Sequence, residues 1–252
     1  METITSRKNP FIRHLRSLAA DGAYRVEHGE FLCDGQKLID EAVAFDGEIS
    51  AILWKDSAPD REYPCQKQYI APGEVFDYAS PMNNSPGPLF TVKMPETEGN
   101  LDSRGGVIVL EGVQDPGNVG TVIRTANAFG ISAVVLTGNC ADRYNPKTVR
   151  ASMGALFRQR VLTVPLDELS AFLKARGLKL YGAVLSDKAE DIRNVSLEGA
   201  AVAVGSEGRG LSRELLNMCD GEIIIPMSPH SESLNAAVAA AVLMWELGGR
   251  KR

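Results

Sequence analysis

The sequence predicts an α/β protein in two parts: a small α/β unit, then a larger one built on a mostly parallel sheet. Three observations predict it. Across 106–249, short apolar runs alternate with helix-period segments, the βαβα order that lays parallel strands side by side. Those runs are rich in Val, Ile and Leu and continuous rather than alternating, as strands covered on both faces require. Between the two parts lies "MPETEGNLDSRGG" (94–106), polar and Gly-rich, which reads as a linker. The division is therefore 1–98, a linker 99–106, and 107–252; a chain of 252 residues has room for one large domain or two small ones.

In the first part, "NPFIRHLRSLAA" carries Phe11, Ile12, Leu15 and Leu18 at helical spacing. "EFLCDG" is a short strand running into a turn, "QKLIDEAVAF" an amphipathic helix, and "EISAILWK" a second strand. Beyond Trp54 the text turns irregular, and "SAPDREYPCQK" and "PMNNSPGPLF" are expected to be loops. In the second part the expected strands are "GVIVLEG", "AVVLTG", "RVLTV", "LKLYGAVL", "AAVAVGSEG" and "GEIIIPM". Helices are expected at 118–129, about 146–157, 166–176, 212–218 and 233–248. No internal repeat or low-complexity tract interrupts either part.

Composition narrows the function classes. Hydrophobic residues make up 44% of the chain, enough for an ordinary core. No apolar stretch approaches the roughly 20 residues that cross a bilayer. The amino-terminal "METITSRKNPFIRHL" lacks the apolar segment of a signal peptide. Cys33, Cys65, Cys140 and Cys219 are scattered without a C-x-x-C pair, which argues against a zinc site or a disulfide framework and for a reduced cytoplasm. Neither a metal nor a membrane is an expected partner.

The 27 Lys and Arg against 32 Asp and Glu leave a net charge of −5, which alone does not favour a nucleic-acid partner. The distribution says more than the sum. Arg7, Lys8, Arg13, Arg16 and Arg25 meet a single acid, Asp21, over 7–25, and the chain ends in "RKR" (250–252). Screening confines a field to about 10 Å at 0.1 M salt, so a local patch can hold a polyanion on an acidic protein. Arg7, Lys8, Arg13 and Arg16 are the candidate RNA-binding residues; a solvated helix face is the competing explanation.

Three stretches carry candidate chemistry. "DPGNVGTVIRTANAFG" (115–130) follows an apolar run, the usual place of a phosphate-binding loop, but holds neither G-x-G-x-x-G nor G-x-x-x-x-G-K-[ST]. It offers Asn118, Gly120 and Arg124 instead; taken alone, Asn118 is a candidate helix cap and Arg124 an exposed helical arginine. "AVAVGSEGRGLS" (201–212) is a buried strand ending in Gly205, Gly208 and Gly210 around Glu207. Glycines at the carboxyl end of a strand let the backbone approach a ligand; a tight turn before a helix capped by Ser212 accounts for them equally well. "IIIPMSPHSESLNAAVAAAVLMWEL" (223–247) stops a strand at Pro226 and opens an Ala-rich helix, suited to core or interface packing, with Ser233 and Asn235. The first turn of that helix has free N–H groups that suit an anion. His230, in the loop, is read as an incidental polar residue.

In this order, the three stretches resemble the SpoU-type (TrmH-like) branch of the SPOUT RNA methyltransferases. The resemblance covers 106–249 and rests on "NVGTVIRTANAFG", "VGSEGRGL" and "IPMSPHSESLNAAVA". The amino-terminal "ITSRKNPFIRHLRSL" and "FLCDGQKLIDEAV" are similar to the small α/β RNA-binding domain of many rRNA ribose methyltransferases, a domain that resembles some ribosomal proteins. The resemblance implies a carboxyl-terminal SPOUT domain with a trefoil knot, a rare exception to unknotted chains. It implies S-adenosylmethionine bent into the knot and held largely by backbone, with Gly205, Gly210, Ile225, Met227 and Leu234 at the contact positions. Asn118, Arg124, Glu207, Ser233 and Asn235 match its catalytic positions. A homodimer with active sites near the subunit interface is implied, as is methyl transfer to a ribose 2′-hydroxyl of RNA. The amino-terminal domain favours rRNA over tRNA. One departure stands in the third motif: where S-L-N-V-S is frequent, this chain has Ala236 and Ala237, while Ser233-Leu234-Asn235 is intact.

Methyl transfer from a sulfonium needs no metal, but the acceptor hydroxyl must lose its proton. No His or carboxylate pair is conspicuous for that task, and Arg124 is the group available. Neutralising an arginine at pH 7 from a pKa near roughly 13 costs about 8 kcal/mol. The alternative is that Arg124 stays charged and stabilises the developing alkoxide. Two other classes compete. A non-catalytic RNA-binding protein has no need of Asn118, Arg124 and Ser233-Leu234-Asn235, and a Rossmann-type nucleotide enzyme has its G-x-G-x-x-G and acidic ribose partner, both missing here.

Overall fold

The computed structural model describes residues 1–57, 59–65, 67–95, 105–228, 230 and 233–248. Linker residues 99–104 and the terminal "RKR" lie outside them. Two compact units partition the chain: Met1–Glu96 with Asp142–Arg158, and Thr97–Ala141 with Gln159–Arg252.

The first unit contains β1 (Glu2–Thr3), α1 (Pro10–Ala20), α2 (Gly22–His28), β2 (Glu30–Asp34), α3 (Gln36–Ala44), β3 (Ile49–Lys55), β4 (Gln68–Ala71), α4 (Gly73–Ala79) and β5 (Leu89–Lys93). Its strands form a mixed sheet in the order β1-β4-β3-β5-β2. α1 begins where Asn9 accepts the Phe11 N–H at 2.8 Å and Pro10 supplies a pre-set φ. Its buried stripe Ile12, Leu15 and Leu18 joins Leu32, Leu53, Phe76 and Leu89 in one core. β4, α4 and β5 stand in text read as irregular. They are short and lie between prolines, and burial of Val75, Phe76 and Ala79 holds α4 where no side-chain cap does.

The second unit opens with β6 (Val107–Glu111), α5 (Pro116–Phe129) and β7 (Ala133–Thr137). The chain then contributes α6 (Pro146–Ala151) to the first unit. The second unit continues with β8 (Val161–Thr163), α7 (Leu166–Lys174), β9 (Lys179–Ala183), β10 (Glu190–Asp191), β11 (Ala200–Gly205), α8 (Arg213–Leu216), β12 (Gly221–Ile224) and α9 (Ala236–Gly248). The strand order is β10-β12-β9-β11-β6-β7-β8, and each neighbouring pair is parallel. Val107, Ile108, Val109 and Leu110 are all fully buried, so β6 is covered on both faces, as its unbroken apolar run requires. From β6 the chain runs out through β7 to β8, then restarts on the other side with β9 and β11. The reversal falls between β6 and β11, and their carboxyl ends are where such a sheet opens a crevice.

Two expectations are corrected here. The helix expected at 146–157 ends at Ala151, because Met153 (φ 51°) and Gly154 (φ 87°) turn left-handed before a short 3-10 turn at Ala155–Phe157. Arg25, read with the basic run, is buried. Its Nη2 and Nε donate to Asp142 Oδ2 at 2.5 and 3.0 Å, and its Nη1 donates to the Leu18 carbonyl at 2.6 Å. It ties 142–158 into the first unit, together with the Phe31–Tyr144 ring stack and the Arg158–Glu41 ion pair.

Among the described residues no helix is long and apolar enough to cross a membrane. All four cysteines are free thiols. Burial pushes each of them up: Cys33 well above the usual thiol range, Cys65 and Cys140 to a lesser degree, and Cys219 to about 12. None is therefore an activated thiolate nucleophile. The native protein is expected to react slowly with Ellman's reagent at mildly alkaline pH and to release all four thiols once unfolded in guanidinium. Fast reaction of one thiol in the native state would contradict this.

Candidate active site

The site is built at the carboxyl ends of β6, β9, β11 and β12. After β6, Asp115 caps α5 by accepting the Asn118 N–H at 2.8 Å, with Pro116 in the first turn. The helix thus starts two residues before the expected 118, and Asn118 is not its cap. Its side chain is left for longer-range bonds. Asn118 Nδ2 donates to the Glu207 carboxylate, and Asn118 Oδ1 accepts from Asn235 Nδ2 at 3.1 Å. Asn235 Oδ1 in turn accepts the N–H groups of Ala237 and Val238 at 2.9 and 3.3 Å. α9 therefore begins at Ala236 rather than 233, and N–H groups expected to be free for an anion are occupied by its own cap. One chain of hydrogen bonds, Glu207–Asn118–Asn235, joins the three sequence stretches.

The loop after β11 is fixed at both ends. A side chain at Gly205 would overlap the Gly210 carbonyl and the Leu211 nitrogen, so only glycine fits there. Gly210, at φ 65°, donates its N–H to the Ser206 carbonyl at 2.9 Å and closes the turn. Ser212 caps α8 through the Leu215 N–H, as expected. Ser212 also donates its Oγ and N–H to Glu111 at 2.6 and 2.7 Å. Glu111 ends β6 and pairs in register with Gly205. Sequence reasoning passed over Glu111. Its signal was a lone acid ending an apolar strand, since a buried carboxylate needs donors nearby.

A cavity of about 440 Å³ lies beside this loop. Gly205, Gly210, Ile225, Met227 and Leu234 all border it, as do Glu207 and Ser233. Val184 and Leu185, beyond β9, and Arg209 border it too and were not singled out. Arg124 stands apart. It is exposed on α5, does not border the cavity, and has no hydrogen-bond or ion-pair partner among the described residues. His230 is exposed.

In the first unit, Arg7, Lys8, Arg13 and Arg16 are all exposed. Arg16 donates to the Tyr78 carbonyl at 2.6 Å, and both Arg16 and Arg7 lie over the Tyr78 ring, at 4.2 and 5.1 Å.

Known proteins are similar to this chain in sequence and in fold. A model described as the SpoU rRNA Methylase family matches residues 106–245. The chain is 35% identical to the 23S rRNA (guanosine(2553)-2′-O)-methyltransferase RlmP of Bacillus subtilis (strain 168), over 99% of this chain and 100% of that protein. It is 30% identical to an uncharacterized tRNA/rRNA methyltransferase, slr1673, of Synechocystis sp., over 97% of this chain and 92% of the relative. Among solved structures, the SpoU methyltransferase AviRb from Streptomyces viridochromogenes, in complex with the cofactor AdoMet, superposes with a TM-score of 0.86 at 25% identity, over 97% of this chain and 98% of that one. With the family model and the full-length similarity in agreement, the chain belongs to the SpoU rRNA methylase family.

Proposed function

We propose that this protein is an S-adenosylmethionine-dependent RNA methyltransferase that modifies a ribose 2′-hydroxyl of rRNA. The observation that carries the reading is the meeting of three distant stretches, through Glu207, Asn118 and Asn235, beside one cavity that Glu207 borders. The full-length similarity to a 23S rRNA 2′-O-methyltransferase favours rRNA over tRNA.

The cavity suits S-adenosylmethionine. Its volume of about 440 Å³ is in the range of cofactor sites, and the absent side chain of Gly205 lets the Gly210–Leu211 backbone close against it at the cavity border. Bound there, the cofactor supplies an electrophilic methyl carbon on a sulfonium sulfur. Gly205, Gly210, Ile225, Met227 and Leu234 hold it. Asn118, Glu207 and Asn235 keep the loop and the start of α9 in place, and Ser233 and Arg124 meet the acceptor ribose. Arg124 either takes the hydroxyl proton or, staying charged, stabilises the alkoxide as the proton leaves to water.

Three finer features go with this reading. The carboxyl-terminal part threads as a trefoil knot; in support, β12 lies beyond β9, yet α9, which follows it, packs on α5 and β11. The protein works as a homodimer; in support, α9 exposes Val238, Val242 and Trp245 along one face. Residues 1–98 grip RNA through Arg7, Lys8, Arg13 and Arg16, and 107–252 carry the chemistry, in the cytoplasm.

Mapping 2′-O-methyl groups on rRNA and tRNA from cells with and without the gene tests the reading. One rRNA position is expected to lose its methyl group. A change confined to tRNA would move the substrate, and unchanged maps of both would leave a non-catalytic RNA-binding protein. Light scattering is expected to give twice the mass of one chain.

A further inference from the structure

The first unit holds a smaller hollow of about 220 Å³, remote in sequence from the three stretches of the candidate active site. It lies across the mixed sheet. Tyr69 of β4, Ser50 of β3, Thr91 of β5 and Glu30 of β2 border it from four adjacent strands, and α1 adds Phe11 and His14.

Three features distinguish it from a packing defect. The β3–β5 register slips between Ile49 and Ala51, and this bulge leaves Ser50 out of the pairing, at the hollow. The Ser50 and Thr91 hydroxyls are buried with no hydrogen-bond partner, Thr91 being only 1% exposed. An unsatisfied buried hydroxyl is destabilising, and valine would fill the Thr91 position without that penalty. The third feature is a charged acceptor among rings. His14 Nε2 lies 3.3 Å from Glu30 Oε2, and His14 Nδ1 lies 3.0 Å from the Tyr24 hydroxyl. The His14 ring holds the Glu30 carboxyl below its usual range against burial, with help from the nearby Ser50 and Thr91 hydroxyls, neither of which makes a geometrically sound hydrogen bond. Phe11 packs on Tyr69 with ring centroids 4.6 Å apart.

We propose that this hollow is a subsite for one unstacked nucleobase of the RNA, a base carrying an exocyclic amino group. It rests on the reading that the chain acts on RNA. Single-stranded bases are recognised by stacking on aromatic side chains and by hydrogen bonds to their edges. The base stacks against Phe11 and Tyr69, its amino group donates to Glu30, and the Ser50 and Thr91 hydroxyls complete its edge. Uracil offers a carbonyl where the carboxylate needs a donor, so it is rejected. Lys67, exposed at the rim, is placed for the adjoining phosphate.

The test is an NMR titration of the full-length protein with AMP, CMP and UMP, following the His14 and His28 ring signals and the Thr91 methyl. AMP and CMP are expected to give saturable shifts at these residues, with UMP weaker by about fivefold or more. Thr91→Val removes only the hydroxyl. It is expected to keep or raise the melting temperature while weakening AMP and CMP about fivefold. No saturable shift there with any nucleotide, equal affinity for UMP, or unchanged binding by Thr91→Val would each overturn the proposal and leave a water-filled gap. Methyl transfer to rRNA, measured on the same preparation, separates the two readings. Transfer without nucleotide shifts sinks the subsite alone, whereas nucleotide shifts without transfer sink the catalytic assignment alone.

Discussion

Arg124→Ala is expected to lower methyl transfer by about 10²- to 10³-fold, the range for losing one donor to a developing anion, while S-adenosylmethionine affinity stays within a few-fold. Arg124 is exposed, does not border the cavity, and has no hydrogen-bond or ion-pair partner among the described residues. Its removal therefore leaves the fold and the proposed cofactor site intact. A group that acts only on the transition state changes turnover without changing ground-state binding. Arg124→Lys separates the two proposed roles. Lysine keeps the charge and loses the planar fork. If charge alone is needed, Lys retains partial activity; if hydroxyl and phosphate must be oriented together, Lys is nearly as inactive as Ala. Single-turnover transfer by Arg124→Ala at close to the wild-type rate would remove the catalytic assignment.

Gly205→Ala attacks the other half of the site. The added methyl overlaps backbone atoms of Gly210 and Leu211, and no side-chain rotation relieves that. The 206–210 turn has to shift, carrying part of the cavity border with it. Overpacking of this kind costs about 2 kcal/mol, which as lost affinity is roughly thirtyfold in Kd. Gly208→Ala, three residues along the same turn and also on the cavity border, separates backbone strain from a mere added methyl, because a methyl there meets no protein atom within 4 Å. Calorimetry with S-adenosylmethionine should separate the two variants, and equal affinities for both would show that the turn does not form the cofactor wall.

The strands of the second unit were legible because a strand covered on both faces must be apolar at every position, a property local to β6, β7 and β11. β4 and α4 were not, because their stability comes from burial of Val75 and Phe76 against distant strands. The start of α5 was misplaced because Asn118 looked like a cap, while Asp115-Pro116 was the stronger signal. Arg25 was grouped with the surface basic residues because charge is visible in a sequence and burial is not. At the candidate site, the order of the three stretches was readable, whereas Glu111 drew no notice until Ser212 was found bonded to it. The hollow between Glu30 and Tyr69 was invisible, since it depends on strand order and on a one-residue slip in register.

Because Asp142–Arg158 belongs to the first compact unit, that unit is unfinished when Glu96 leaves the ribosome. Domains generally fold as units, amino-terminal first, during synthesis. Here the nascent chain must wait. Until Asp142 emerges, the Arg25 guanidinium lacks its carboxylate, and Phe31 lacks the Tyr144 ring that covers it. β6, α5 and β7 are all translated inside that interval. The order of translation is therefore not the order of completion: the core of the first unit can close early, but the face that receives Asp142–Arg158 stays open, the Arg25 charge unpaired, while the opening strands of the second unit are already made.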